Sequence, residues 1–166
     1  MTLQIVAGTA NHVLADSVAG ILGIAPVSAA VERFPDGELR PVVGGMRGAD
    51  VYLVQPTSPP VNEHVMESLL LIDACRRAGA AQITAVMPYF GYARQDRRGR
   101  SGQAIGIRVV ADALASAGMR RLDRDGSAHD RAGGDLRCSG GDADGRASPR
   151  PRAGGAGAGR GRGGGA

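Results

Sequence analysis

The sequence contains no lysine, because all twenty of its basic residues are arginine. A Walker phosphate-binding loop requires a lysine, and so do the nucleotide site of protein kinases and Schiff-base catalysis. Any phosphate that this chain binds must therefore be held by other groups. Arginine suits that task, because its planar guanidinium offers a fixed fork of donors to phosphate oxygens.

Cysteines and long apolar runs are also scarce. The two cysteines, Cys75 and Cys138, lack the spacing of a metal site, and no disulfide framework is indicated, which favours a reducing compartment. The first residues do not form a signal peptide, and no stretch approaches the roughly 18 apolar residues of a membrane span. The sequence therefore predicts a cytoplasmic protein with no metal ligands of its own and no membrane partner.

Large apolar residues almost disappear after residue 122. From Asp123 onward, Leu136 is the only large aliphatic residue, no aromatic occurs, and Gly, Arg, Ala, Asp, Ser and Pro dominate. A core can come only from residues 1–122, which suffice for one small domain. Residues 123–166 are predicted to be a disordered tail, because little apolar surface is available to offset chain entropy. Their composition is also typical of a GC-rich gene translated in the wrong frame.

The arginines of this tail leave one alternative open, a nucleic-acid binder, because glycine–arginine tracts can bind RNA. The tail also carries many aspartates and has no aromatic side chain on which a base could stack. The net charge of the whole chain is only +4. Nucleic acid is therefore the least favoured partner.

Strand and helix patterns alternate along residues 3–122. Short β-branched apolar runs predict strands, and apolar residues at helical spacing predict helices. Strands are expected at residues 3–7, 27–34, 39–43, 51–54 and 83–87, and helices at residues 12–22, 61–78 and 103–117. The inward residues are predicted to be Val65, Met66, Leu69, Leu70, Ile72, Cys75, Ile105, Val109, Val110 and Leu114. The alternation predicts a three-layer α/β fold with a largely parallel sheet, in which residues 51–54 and 83–87 share one sheet.

The strongest functional signal lies in residues 87–100, MPYFGYARQDRRGR. Pro88 ends the strand before it, because proline cannot donate to a sheet ladder. Four arginines follow within seven residues, namely Arg94, Arg97, Arg98 and Arg100. Glycines, Gly91 among them, are expected to let the segment move. Ligands of open parallel sheets bind outside the carboxyl ends of the strands, so the segment fits a polyphosphate, and a solvated basic loop is an equal alternative on spacing alone.

Several runs of residues carry a resemblance to a known family. The longest are residues 33–38 (RFPDGE), 46–51 (MRGADV) and 83–97 (ITAVMPYFGYARQDR). With shorter matches at 55–57 (QPT), 61–62, 66–67 and 71–74, they make residues 3–122 resemble the ribose-phosphate pyrophosphokinases, also called phosphoribosyl pyrophosphate synthetases. The resemblance implies a phosphoribosyltransferase-like fold for residues 1–122, and symmetric oligomers whose subunits contain two similar domains.

The resemblance also implies an activity. The family transfers the β,γ-pyrophosphoryl group of MgATP to the 1-hydroxyl of ribose 5-phosphate, which gives AMP and phosphoribosyl pyrophosphate for nucleotide biosynthesis. Arg94, Gln95 and Asp96 resemble the segment that binds ATP and closes over its phosphates, and Arg94 is the catalytic candidate. Such a transfer depends mostly on positioning and charge neutralisation, which an arginine loop can supply.

A second set of roles follows from the same resemblance. Phe34, Asp36 and Glu38 resemble a turn that contacts the adenine of a neighbouring subunit's ATP, and Arg47 resembles a residue near a regulatory phosphate or ADP site. An aromatic ring can stack on a base, and carboxylates can accept from its exocyclic amine. Without the resemblance, Phe34 reads better as a core residue at a strand end, and the carboxylates as ordinary turn polarity.

The resemblance stops after Leu122. The family continues with a strand that ends in a magnesium-ligating histidine, and with a second domain that holds a catalytic lysine and the ribose phosphate. None of these is recognisable here, and no strand is expected to lead to His129. The sequence therefore predicts a family member that is inactive alone and tends to self-associate through exposed surfaces. The alternative is a non-catalytic regulatory subunit in a hetero-oligomer with a complete synthetase.

Overall fold

The computed structural model describes residues 2–27 and 29–124. The elements are β1 (Leu3–Ala7), α1 (His12–Leu22), β2 (Ala29–Arg33), β3 (Leu39–Val43), β4 (Asp50–Val54), α2 (Val61–Arg77), β5 (Gln82–Val86), α3 (Gly106–Ala117) and β6 (Arg121–Asp123). The predictions made for the tail beyond Arg124 concern residues outside the described part of the chain.

Strands β1, β4, β5 and β6 form one parallel sheet in that order. Because strand side chains alternate between faces, Val51 and Leu53 of β4 pack against α2 and α3, whereas Val54 packs against α1. α1 contributes the buried Ala15 and Ala19 to that second face. The predicted three-layer α/β fold is confirmed, and β4 and β5 are neighbours in one sheet as expected.

Strands β2 and β3 form a separate antiparallel hairpin that packs against α2. The strand predicted from residue 27 is shorter than expected, because Val27 makes only an isolated parallel bridge to Val6 before β2 begins. The guanidinium of Arg33 donates to the carboxylate of Glu63 at 2.6 Å and joins the hairpin to the first turn of α2.

The ends of the helices follow local chemistry. The side chain of Asn11 accepts from the backbone N–H of Leu14 at 3.0 Å at the start of α1, and Gly23 ends that helix with a φ of +66°. The sequence predicted that α3 begins at Gln103, but the helix begins at Gly106. The side-chain oxygen of Gln103 accepts from the N–H groups of Gly99 and Arg100, at 2.9 and 3.2 Å, and this turn replaces the expected first helical turn.

Two residues predicted to point inward are exposed. Met66 is 52% exposed and Val109 is 61% exposed, while Leu71, which the predicted stripe omitted, is completely buried. Met66 and Val109 line an open groove between α2 and α3, so their apolar character does not place them in the core. The periodicity identified the apolar side of each helix but not the width of the contact between the two helices.

A short strand at residues 121–123 was not predicted from the sequence. The short strand β6 pairs in parallel with β5, and the N–H of Met87 donates to the carbonyl of Asp123 at 2.8 Å. The sequence of β6 does not form an apolar run, because two of its three residues are an arginine and an aspartate. Only Leu122 packs against the core, which is enough for a short edge strand. His129 lies outside the described residues.

Cys75 provides a test of this core. It is completely buried on α2, and burial raises the pKa of its thiol from 9.0 to about 11. In a Cys138→Ser variant, we expect a thiol reagent at pH 8 to label the native chain no faster than it unfolds. As the pH rises, the thiol ionises near pH 9 in the unfolded chain but only near pH 11 in the folded chain. The contribution of this thiol to the free energy of unfolding is therefore complete below pH 9 and is lost as the pH rises from 9 to about 11. Rapid labelling of the native chain would contradict this burial.

Candidate functional site

The arginine-rich segment, residues 87–100, follows directly after β5. Its first part, residues 89–92, is tightly packed and is called the root below. The hydroxyl of the buried Thr57 accepts from the N–H of Gly91 at 2.6 Å and donates to the carbonyl of Tyr89 at 3.1 Å. A Cβ on Gly91 would lie only 2.4 Å from Cγ1 of Val61 and 3.1 Å from the carbonyl oxygen of Thr57. The sequence-based interpretation of Gly91 as a source of mobility was therefore wrong, because glycine is needed here for close approach.

Tyr92 continues the root. Its φ is +66°, which makes it the only non-glycine residue with a positive φ in residues 2–27 and 29–124. Its phenol donates to Oδ1 of Asn62 at 2.5 Å, and its carbonyl accepts from the N–H of Gln95 at 2.8 Å. The carbonyl of Gln95 in turn accepts from the N–H of Ile107 at 3.4 Å. The chain is thus attached to α2 and to the first turn of α3 on both sides of Arg94.

The arginines themselves are exposed and carry no counter-charge. Residues 94–100 are all exposed. Within the described part of the chain, none of the arginines at positions 94, 97, 98 and 100 lies within salt-bridge distance of a carboxylate, whereas Arg33, Arg40, Arg76 and Arg77 each do. A surface with four uncompensated guanidinium groups at the carboxyl end of a parallel strand is suited to a multiply charged anion.

The turn between β2 and β3 is held in one conformation by short-range hydrogen bonds. The N–H of Phe34 donates to the carbonyl of Glu38 at 2.8 Å, and the N–H of Glu38 donates to Oδ1 of Asp36 at 3.1 Å. Gly37 adopts a φ of +94°, which favours glycine. The turn presents two exposed carboxylates beside the half-buried ring of Phe34.

Phe34 is not part of the core within the described residues, so the interpretation of it as a core residue was wrong. The guanidinium carbon of Arg40 lies 5.1 Å from the centroid of the Phe34 ring, and Arg40 also pairs with the carboxylate of Glu32 on the neighbouring strand. The cation therefore sits against the ring, as in a cation–π contact.

The Phe34 turn and the arginine-rich segment are separate but share a support. No hydrogen bond or ion pair joins them within the part of the chain that the structure describes. Glu63 binds Arg33 next to the Phe34 turn, and Asn62, its neighbour in the sequence, binds Tyr92 at the root of the arginine-rich segment. The first turn of α2 thus holds both candidate groups, and this anchoring role of Asn62 and Glu63 was not predicted from the sequence.

The domain that carries the Phe34 turn and the arginine-rich segment matches a family of known proteins. A sequence model described as the N-terminal domain of ribose phosphate pyrophosphokinase matches residues 3–118. The chain belongs to the ribose-phosphate pyrophosphokinase family.

Similar proteins agree over the same region. The chain is 48% identical over 121 residues to ribose-phosphate pyrophosphokinase 1 of Spinacia oleracea, covering 72% of this chain and 36% of that protein. It is 52% identical over 122 residues to the ribose-phosphate pyrophosphokinase of Coxiella burnetii, covering 72% and 38%. The crystal structure of phosphoribosylpyrophosphate synthetase from Mycobacterium smegmatis matches with a TM-score of 0.72 and 38% identity, over 75% of this chain and 42% of that one. The chain therefore spans little more than a third of these curated relatives' length.

Arg47 is placed apart from the two other candidate groups of this pyrophosphokinase domain. It is exposed on the loop between β3 and β4, where the N–H of Gly48 donates to the carbonyl of Gly79 at 2.8 Å. That contact is at the carboxyl end of α2, whereas Asn62 and Glu63 are at its start, roughly 20–25 Å away by helix length. Arg47 therefore lies near the opposite end of α2 from Asn62, which supports the arginine-rich segment.

The described residues contain no cluster of three or more His, Cys, Asp or Glu side chains that could hold a metal ion. The carboxylate of Asp96 is the only one on the arginine-rich segment, and it is exposed. Within residues 2–27 and 29–124, no helix is long and apolar enough to cross a membrane.

A buried polar cluster at the carboxyl edge of the sheet was not found from the sequence. The carboxylate of Glu67 is 2% exposed and accepts from the N–H and the hydroxyl of Thr9, at 2.7 and 2.5 Å. Oε1 of the fully buried Gln55 accepts from the N–H of Ala10 at 3.1 Å. Together they fix the loop between β1 and α1 beside β4. Glu67 lies inside an apolar helical run, and that position was the one available signal.

Proposed function

We propose that this chain supplies the nucleotide-binding part of a ribose-phosphate pyrophosphokinase that acts on ATP and ribose 5-phosphate. In that reaction the 1-hydroxyl oxygen of the sugar attacks the β-phosphorus of MgATP, the bond from the β-phosphorus to the α,β-bridging oxygen breaks, AMP leaves, and the hydroxyl loses its proton. The observation that carries the proposal is a set of four arginines after the carboxyl end of β5, on a hydrogen-bonded root, none of which pairs with a carboxylate of the described residues.

Arg94 is proposed to bind the polyphosphate and to neutralise the charge that develops during transfer. Its neighbours on both sides are hydrogen-bonded to the rest of the domain, so its backbone is held while its guanidinium remains exposed. Gln95 and Asp96 are proposed to complete the ATP contact. Positioning of charged donors before the reaction is the main contribution that a protein makes to such a transfer.

Phe34, Asp36 and Glu38 are proposed to contact the adenine of ATP bound to a neighbouring subunit. The rigid turn supports this, because it presents the ring and both carboxylates together. Only one oxygen of Asp36 is used within the turn, so the other is available to accept from an exocyclic amine. Arg47 is proposed to serve a separate regulatory phosphate or ADP site, in keeping with its position at the other end of α2.

A second candidate function is that of a non-catalytic subunit that joins a complete synthetase. Residues 1–122 are proposed to form the N-terminal phosphoribosyltransferase-like domain in either case.

Titration calorimetry with MgATP and an assay for AMP release test both candidates. We expect the 166-residue chain to bind MgATP weakly and to form no AMP from ribose 5-phosphate, because attack requires both substrates to be held about 3–3.5 Å apart. Addition of the chain to a complete relative should change the rate of that relative if it is a regulatory subunit. Absence of MgATP binding would refute the nucleotide site, and rapid AMP formation by the chain alone would refute the requirement for a partner.

A further inference from the structure

We infer that Tyr92 is a positioning residue for Arg94, and that its hydrogen bond to Asn62 fixes where the arginine-rich segment leaves the domain. This inference rests on the proposed role of Arg94 in binding ATP. No role for Tyr92 or Asn62 follows from the motifs that identify the family, and both residues are singled out by geometry. Neither is proposed to touch the nucleotide.

The first observation is the backbone of Tyr92. A bulky residue at a φ of +66° is strained by contact between its Cβ and its own backbone. Such a conformation persists only where the surroundings impose it. Glycine would adopt it freely, so the presence of tyrosine requires something that the side chain supplies.

The second observation is what that side chain contacts. The phenol reaches α2 and donates to Oδ1 of Asn62 at 2.5 Å. The ring lies over the start of α3, where a Cβ built on Gly106 would be 2.9 Å from Cδ1 of Tyr92. The tyrosine therefore ties the segment to two helices at once, and glycine at position 106 is what allows the ring to pack so closely.

The third observation concerns the residues on either side of Arg94. The N–H of Ala93 donates to the carbonyl of Phe90 at 3.3 Å, and the N–H of Gln95 donates to the carbonyl of Tyr92 at 2.8 Å. Arg94 is therefore enclosed in a turn whose conformation depends on Tyr92. If Tyr92 rotated away from Asn62, this turn would lose its only side-chain attachment to α2 within the described residues.

Beyond Gln95 the support is weaker. Residues 96–102 are all exposed, and the side chain of Gln103 is the only side chain that accepts from their backbone in the described residues. Tyr92, Asn62 and Gln95 also line the open groove of about 370 Å³ between α2 and α3. Although the ring of Tyr92 packs against the core, the bond to Asn62 is the one side-chain hydrogen bond among the described residues that joins the turn around Arg94 to α2, and the later arginines lie beyond it.

The test compares Tyr92→Phe with Arg94→Ala and with the double variant, and measures the MgATP dissociation constant by calorimetry. Loss of one hydrogen bond is expected to weaken binding by about three- to tenfold. Because Tyr92 acts through Arg94, the same substitution should have no further effect in the Arg94→Ala background. Asn62→Ala should reproduce the effect of Tyr92→Phe, and Tyr52→Phe, on the opposite face of the sheet, should change nothing.

Amide hydrogen exchange gives a readout that does not depend on nucleotide. Tyr92→Phe should accelerate exchange at Gln95 and leave the amides of β4 and β5 unchanged, whereas general loss of structure would accelerate all of them. If Arg94→Ala weakens MgATP binding but Tyr92→Phe does not, the positioning role is refuted while the proposed function stands. If Arg94→Ala has no effect, the proposed function fails, and unchanged exchange at Gln95 in Tyr92→Phe would then refute the attachment as well.

Discussion

Replacement of Gly91 by alanine is expected to lower the stability of the domain by about 1–3 kcal/mol, because a buried methyl group would be added where there is no space. The new Cβ would lie 2.4 Å from Cγ1 of Val61 and 3.1 Å from the carbonyl of Thr57. The backbone of Thr57 lies in the loop between β4 and α2, where its N–H donates to the carbonyl of Tyr89 at 2.8 Å, so the root of the arginine-rich segment must move to make room. Urea denaturation measures the loss of stability, and MgATP titration measures the displacement.

Gly20→Ala is the matched control. Gly20 lies within α1, and nothing is found within 4 Å of a Cβ built on it. The same chemical change should therefore stabilise the domain by about 0.5–1 kcal/mol, because alanine loses less entropy than glycine in a helix. A Gly91→Ala variant as stable as the wild type, with unchanged MgATP binding, would show that the root is more adaptable than these distances imply.

Substitution of Arg94 by alanine is expected to weaken MgATP binding about tenfold or more, whereas Arg100→Ala should weaken it by a factor of about three or less. A hydrogen bond to a charged group contributes roughly 1.5–3 kcal/mol, and each 1.4 kcal/mol corresponds to a tenfold change in affinity. Arg94 is held between hydrogen-bonded neighbours, so little entropy is lost when it binds phosphate. Arg100 lies on the exposed part of the segment, beyond the hydrogen bonds that enclose Arg94.

Salt dependence separates specific binding from general attraction. Both substitutions remove one positive charge from the same exposed segment, so long-range attraction of the anion falls equally in the two variants. The larger loss in Arg94→Ala should therefore persist at 0.5 M salt, where exposed charges are largely screened. Equal losses in the two variants at every salt concentration would reduce the segment to a general basic surface.

The elements whose patterns repeat over several residues could be predicted from the sequence alone. β1, β4 and β5 are short runs of β-branched and apolar residues, and α2 has an apolar face over its whole length, so their type and approximate bounds followed from periodicity. The absence of lysine, together with the arginines after β5, indicated an anion that guanidinium groups bind. Composition also placed the core within residues 1–122.

Features that depend on two distant segments could not be obtained in this way. The burial of Glu67 depends on Thr9, and the strand β6 depends on the free edge of β5, so neither leaves a local pattern. Gly91 illustrates the difference most clearly. The sequence shows a glycine in a loop, which is usually a sign of mobility, whereas the tertiary structure brings Val61 and Thr57 so close that no other residue fits.

The candidate site divides along the same line. The sequence by itself determined which side chains carry the charge, because the residue types of Arg94, Asp36 and Glu38 and the motifs that contain them are known from the sequence. Only the tertiary structure decided that the first turn of α2 holds both groups, through Asn62 and Glu63. The physical reason is that charge is a property of one residue, whereas a hydrogen bond between segments thirty residues apart exists only after the sheet has aligned the strands and placed the helix between them.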